Sequence, residues 1–156
     1  MKSNPVSKSE TMEILAKASE DWGFAIPRIK NLMVYEIDSE SYVMAGENTK
    51  MIRTEGAYLP FLSDTDTLEK FPSITVDMGA VKFVCKGADV MRPGITGHTE
   101  FQKDEIVCII EESQKKFLAV GRALVDSSEI DGMQRGQIIR NIHYISDKFW
   151  EAVKSV

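Results

Sequence analysis

Residues 74–97 read ITVDMGAVKFVCKGADVMRPGITG, and the fold of the whole chain is read outward from them. The stretch predicts a short strand, a capped helix, a glycine turn and a second strand in quick succession. Asp77 can accept from the free N–H groups of a following helix, which makes it an N-cap candidate. Met78 to Lys86 then carries Val81, Val84 and Cys85 at the spacing of a buried helical stripe. Lys82 and Lys86 stand four apart and share a face turned away from most of that stripe. Gly87 falls where a left-handed helix terminus costs least. Val90-Met91 leads into Arg92-Pro93-Gly94, whose proline belongs to an edge strand or a bulge. The expectation is exposed backbone at Gly87, Ala88 and Asp89, with Lys82, Lys86 and Arg92 around it, a setting that suits a phosphate.

The 156 residues leave room for one ordinary domain or two small ones, and 43% hydrophobic residues suffice for a core. No apolar run is long enough to span a membrane, and MKSNPVSKSE lacks the apolar region of a signal peptide. A cytoplasmic location, with no membrane partner, is the simplest expectation. Cys85 and Cys108 lie in apolar runs and form no CxxC pair, so free buried thiols are expected rather than a disulfide. With only His98 and His143 besides, no metal site is expected, nor any other cofactor. The net charge of −5 argues against a nonspecific polyanion binder. It is unevenly spread: residues 1–73 carry 8 Lys/Arg against 12 Asp/Glu, and residues 74–156 carry 11 against 12. Only the second half can readily present a basic patch.

Before the central stretch, a helix is expected up to Trp22-Gly23, capped by Ser9 with Met12 and Glu13 or by Ser7 with Glu10, the latter spaced as a capping box. Beta-like runs follow at 32–37, 41–45 and 50–53, and an apolar run at 58–62 is broken by Pro60. Asp64 to Asp66 caps a short helix through Leu68 and Phe71. Residues 1–73 thus read as a small α+β domain, a helix on an antiparallel meander that could leave one sheet face open. Pro72-Ser73 marks the boundary, with a packed interface expected there rather than a flexible linker. After Gly97, residues 105–111 and 117–125 form a hairpin turned at Ser113–Lys116. Asp131-Gly132 is another turn, residues 137–144 make the last strand, and Ser146 or Asp147 caps a closing helix. Several short strands with two short helices suit a mixed-sheet pseudobarrel over residues 74–156. The fold class is therefore α+β.

VDMGAVKFVCKGADVMRPGI resembles the start of the PUA domain, an RNA-binding module. FLAVGRALVDSSEI and RGQIIRNIHYISDKFW are similar to its later strands and closing helix. The likeness runs from about Ile74 to Trp150 and is closest to PUA proteins of the malignant T-cell-amplified sequence type, which act in translation initiation and re-initiation. In that family a pre-PUA domain precedes the PUA domain, as residues 1–73 do here. The family usually has Gly-Asp where this chain has Asp104-Glu105. Aspartate tolerates the left-handed region better than most residues, so the turn is expected to survive.

Each site residue has a plain reading beside the functional one. Gly87-Ala88-Asp89 ends a helix whatever else it does, and the resemblance implies RNA-backbone contact there. Lys82 and Lys86 are a solvated face or the flank of an anion site. Arg92, next to Pro93 and Gly94, either pairs with Asp77 or Asp89 or holds a phosphate, and Arg135 and Arg140 could extend the patch. Arg122 is expected to face outward in ordinary strand alternation, and Trp22 and Trp150 to pack in the core. His143-Tyr144 invites an acid/base reading, but no second titratable partner stands at a useful spacing. The resemblance implies that this pair packs at the start of the closing helix. No hydrolase, nucleotide-loop or zinc-protease motif occurs, so no catalytic residue is expected.

The resemblance implies a non-enzymatic protein that holds structured RNA, tRNA or rRNA, at the small ribosomal subunit, with a separate initiation-factor-like protein as partner. Charge reversal at Lys82 and Arg92 is expected to abolish binding and leave the melting temperature nearly unchanged. The alternative is a protein–protein adaptor or an accessory subunit for RNA modification, with residues 1–73 as the partner-binding surface.

Overall fold

A computed structural model describes residues 1–156. The first sheet runs in sequence order through β1 (Lys2–Pro5), β2 (Met33–Asp38), β3 (Ser41–Ala45), β4 (Lys50–Thr54) and β5 (Ala57–Pro60), all antiparallel. Helix α1 (Lys8–Trp22) starts where the Ser7 hydroxyl accepts from the Glu10 N–H. It stops at Gly23, whose φ of 82° returns its N–H to the Ser19 carbonyl. The short α2 (Thr65–Leu68), capped by Asp64, closes this half.

The second sheet has the order β7-β11-β10-β9-β6-β8 and mixes one parallel pair, β6 (Ser73–Val76) with β9 (Ile106–Glu111), into an otherwise antiparallel array. Its edges are β7 (Val90–Met91) and β8 (Ile95–His98), with β10 (Phe117–Ala123) and β11 (Gln137–Tyr144) between. Only the 3-10 turn Arg92–Gly94 separates the two edge strands in sequence, so the sheet has to curl round until they meet. The result is the pseudobarrel the sequence predicts. The Met78–Ala80 turn and the one-turn helix α3 (Val81–Val84) lie between β6 and β7, and α4 (Lys148–Val153) follows β11.

Two cores form, and β9 serves both. Ile106 and Cys108 pack with Trp22, Met51, Leu59, Phe61 and Phe149. Val107 and Ile109 pack inside the barrel with Ile74, Val90, Ala119 and Ile139. Alternate strand residues point to opposite faces, so a strand buried on both sides must read as an unbroken apolar run, as IVCII does.

One expectation needs correction. The first sheet has no open face at its centre: Val43 and Met44 are both buried, as are Met51 and Ile52, and β5 is buried throughout. Adjacent strand residues can be buried together only if both faces are covered, by α1 on β5 and by α4 on β2 and β3. Pro60, paired with Met51, is the last residue of β5, so the run at 58–62 is broken at its proline as expected. A strand was also missed. All four residues of β1 are exposed, and it is held by backbone pairing from Lys2 opposite Glu36 to Pro5 opposite Met33. Asp104 adopts φ 75°, and its N–H donates to Ala123 O at 2.8 Å, so the departure from Gly-Asp leaves the turn intact.

Candidate nucleic-acid interface

The helix end at Gly87 forms for the reasons its sequence suggests, but its amides are spent. Asp77 Oδ1 accepts from the Ala80 N–H at 2.9 Å and starts the turn. At the other end Gly87 has φ 94°, its N–H donates to Val84 O at 3.0 Å, and the Ala88 N–H donates to Phe83 O at 3.0 Å. These bonds satisfy carbonyls of α3 itself, as left-handed helix termini do. The expectation of free amides at residues 87–89 is therefore corrected for Gly87 and Ala88. A Cβ at Gly87 would also lie 3.0 Å from the Tyr144 ring, a close contact to which the ring would have to yield.

Asp89 and Asn141 lock the turn onto β11. The Asp89 carboxylate accepts from the Asn141 N–H at 2.9 Å and from Gln137 Nε2 at 3.4 Å. Asn141 Nδ2 donates to the carbonyls of Val84 and Ala88, both at 3.0 Å. Asp89 is thus a structural acceptor.

Arg92 pairs with neither Asp77 nor Asp89. Its Nε donates to Ile130 O at 2.8 Å and Met133 O at 3.0 Å, tying β7 to the 3-10 turn Ser127–Gly132. It lines a hollow of about 260 Å³ with Thr96, His98 and Asp131. Its guanidinium is therefore committed to backbone carbonyls beside that hollow. Lys82 and Lys86 are exposed on the α3 segment. Arg140 is bound to the Glu55 carboxylate, and Arg135 is exposed and makes no ion pair.

What the α3 region does offer is a groove of about 570 Å³ between α3 and the Arg92–Gly94 turn, floored by Val76, Val84 and Val90. Its walls are joined where the Asp77 N–H donates to Gly94 O at 2.9 Å. Phe83 and Met91 line it and remain 55% and 46% exposed, large apolar side chains left in water. The Lys82 ammonium sits 5.1 Å from the centre of the Phe83 ring. Neither Phe83 nor Met91 was singled out by the sequence.

His143 is fully buried, and its partner was missed. Nδ1 lies 2.7 Å from Asp147 Oδ2, and Nε2 accepts from the Leu62 N–H at 3.2 Å. Nε2 must be unprotonated to accept, so Nδ1 carries the proton and donates to Asp147. Asp147 also receives the N–H groups of Tyr144 and Trp150, each at 2.8 Å, as the N-cap of α4. The pair joins α4 to the first half and faces no groove. Cys108 is buried, with its thiol pushed up to about 12 by burial, while Cys85 is only half-buried and is raised for the same reason. Among the helices, none is long and apolar enough to cross a membrane.

A barrel of this topology with an α-helical entry at its rim defines a PUA-type module, and the family model for the PUA domain matches residues 72–145. Human malignant T-cell-amplified sequence 2 is 32% identical over 77% of this chain and 75% of its own length. Translation machinery-associated protein 20 of Eremothecium gossypii is 27% identical over 92% of this chain and 84% of its own. A hypothetical protein of Pyrococcus horikoshii superposes with a TM-score of 0.80 at 27% identity, over 97% of this chain and 99% of that one. The chain belongs to the malignant T-cell-amplified sequence family of PUA-domain proteins.

Proposed function

We propose that the chain is a non-catalytic, cytoplasmic RNA-binding protein of the translation machinery that holds an unpaired end or loop of structured RNA, tRNA or rRNA, in the α3 groove. The observation that carries this is Phe83, half in water on an apolar groove with Lys82 beside it. An exposed aromatic ring offers a base a stacking surface, while adjacent cations hold its phosphates. Lys82 and Lys86 supply that charge, with Arg135 as an outlying contact; Ala88, Asp89 and Gly94 line the groove, while Gly87 and Arg92 hold the turns on either side of it. The name of the Eremothecium relative supports the placement in translation, and the small ribosomal subunit is the expected site of action.

The test is equilibrium binding of tRNA and of small-subunit rRNA fragments at several salt concentrations. With two or three phosphates neutralised, log affinity falls against log salt with a slope of about −1.5 to −2.5. Phe83→Ala is expected to weaken binding by about tenfold, the loss of one stacked base. Charge reversal at Lys82 and Lys86 together is expected to abolish it. Undiminished binding by both variants would sink the assignment. The adaptor reading, with a separate initiation-factor-like protein held by the first half, is compatible with this one and has its own surface.

A further inference from the structure

We propose that the cleft between α1 and the Arg28–Asn31 connection docks an acidic segment of a partner protein, seating one apolar side chain with carboxylates on either side. This deepens the adaptor reading and is independent of the α3 groove. The cleft measures about 500 Å³. Leu15 and Ile29 form its buried floor, Val6 lies half-buried against them, and Met12 stands 71% exposed at the rim. Lys8, Arg28 and Lys30 also line it, and no acidic residue does.

What marks those three cations is their place around one apolar hollow, for only four of the chain's 19 Lys/Arg have a carboxylate partner. Lys17, Arg140, Lys148 and Lys154 each have a carboxylate partner. Lys8, Arg28 and Lys30 are exposed, and their side chains form none of the ion pairs or hydrogen bonds in the structure. Residues 1–73 hold 8 Lys/Arg against 12 Asp/Glu. Gathering three of those eight around one apolar hollow, in the acidic half of the molecule, selects an occupant of opposite charge with something apolar to bury.

The lining also distinguishes a peptide from RNA. No aromatic ring faces the cleft for a base to stack on. A nucleic-acid strand extending beyond it would run along α1, where Glu10 and Glu13 are exposed. A short peptide fills the hollow without reaching them.

The experiment is amide NMR of the full chain, titrated with a synthetic peptide carrying one Leu among Glu residues. A matching peptide with Lys in place of Glu and a single-stranded oligoribonucleotide serve as the other probes. The Glu peptide is expected to shift the amides of Thr11, Met12, Leu15, Ile29 and Asn31 to saturation, and the Lys peptide to leave them in place. Arg28→Glu with Lys30→Glu is expected to weaken the Glu peptide by at least about tenfold. Met12→Ala, at an exposed position, is expected to weaken it a few-fold without disturbing the fold. Equal shifts with the Lys peptide, full affinity in the charge-reversed variant, or stronger shifts of these amides by the oligoribonucleotide would each overturn the proposal. Shifts that appear on concentrating the chain alone would do so too, by making a second copy the occupant. Failure at these amides leaves the groove at Met78–Gly94 untouched, so the two readings stand or fall separately.

Discussion

The junction between the two sheets and the rim of the barrel use the same kinds of side chain to opposite ends. At the junction every conspicuous polar group is consumed. His143 bridges Leu62 and Asp147, Asp147 takes three donors, and Trp22 Nε1 donates to Tyr58 O at 3.1 Å. At the rim the side chains are left over: Phe83 and Met91 lie open to water, and Lys82 and Lys86 make no ion pair. A histidine or arginine that has found its partners inside the chain is part of the scaffold. One that has not is available to a ligand. Arg92 crosses from the second class to the first, since its position in sequence suggests a ligand contact and its guanidinium donates to three carbonyls, those of Ile130, Met133 and Ile95.

Mutations can break this contrast. The largest effect is expected from His143→Ala, which strands the Leu62 N–H and leaves a cavity at a fully buried site. Chemical denaturation should report a loss of about 3–4 kcal/mol. Gly87→Ala follows, at about 2 kcal/mol, because the new methyl meets a left-handed backbone and the Tyr144 ring. Arg92→Glu should cost about 2 kcal/mol by removing charged donors from Ile130 and Met133, visible as a lowered melting temperature. These contacts predict the opposite of the nearly unchanged melting temperature expected from the sequence for a variant carrying that change. Lys82→Glu with Lys86→Glu should stay within about 0.5 kcal/mol of the parent while RNA binding is lost. If the rim pair proved as destabilising as Arg92→Glu, the division between scaffold and ligand surface would collapse.

The smallest expected effect concerns Asp38. The Lys148 ammonium, 2.8 Å away, and then the Glu40 N–H hold its carboxyl down at about 2, against an ordinary 3.8. A depressed folded value means stabilisation present above the unfolded value and lost as pH falls from about 4 through 2. Lys148→Ala should return the Asp38 carboxyl toward 3.8 in an NMR titration. The exposed pair should contribute little to melting at neutral pH.

Local signals were legible in the sequence, and long-range ones were not. The caps at Ser7, Asp77 and Asp147, the positive φ at Gly87 and Asp104, and the β9–β10 hairpin all follow from residues within one turn of each other. β1 gives no such signal: its four residues are exposed, lack apolar alternation and depend on β2, about thirty residues on. The site divides in the same way. Lys82 and Lys86 are exposed where helical spacing puts them. Arg92 finds acceptors at Ile130 and Met133, and Asp89 finds Asn141, separations that no spacing rule covers. Phe83 lies outside the Val81, Val84 and Cys85 stripe, but an apolar side chain beside a buried stripe gives no sign in sequence that it stays in water. The His143–Asp147 pair was within reach, since helix caps are local and Asp147 was already a cap candidate four residues on.

β9 gives Ile106 and Cys108 to one core and Val107 and Ile109 to the other. A strand owned jointly in this way works as a keel, and neither portion can lose it and stay upright. Heating should therefore produce one sharp transition rather than two, and a proteolytic nick between the halves should yield fragments that remain associated. A PUA module grafted elsewhere would have to bring a new apolar neighbour for Ile106, Cys108 and Val120, or leave them facing water.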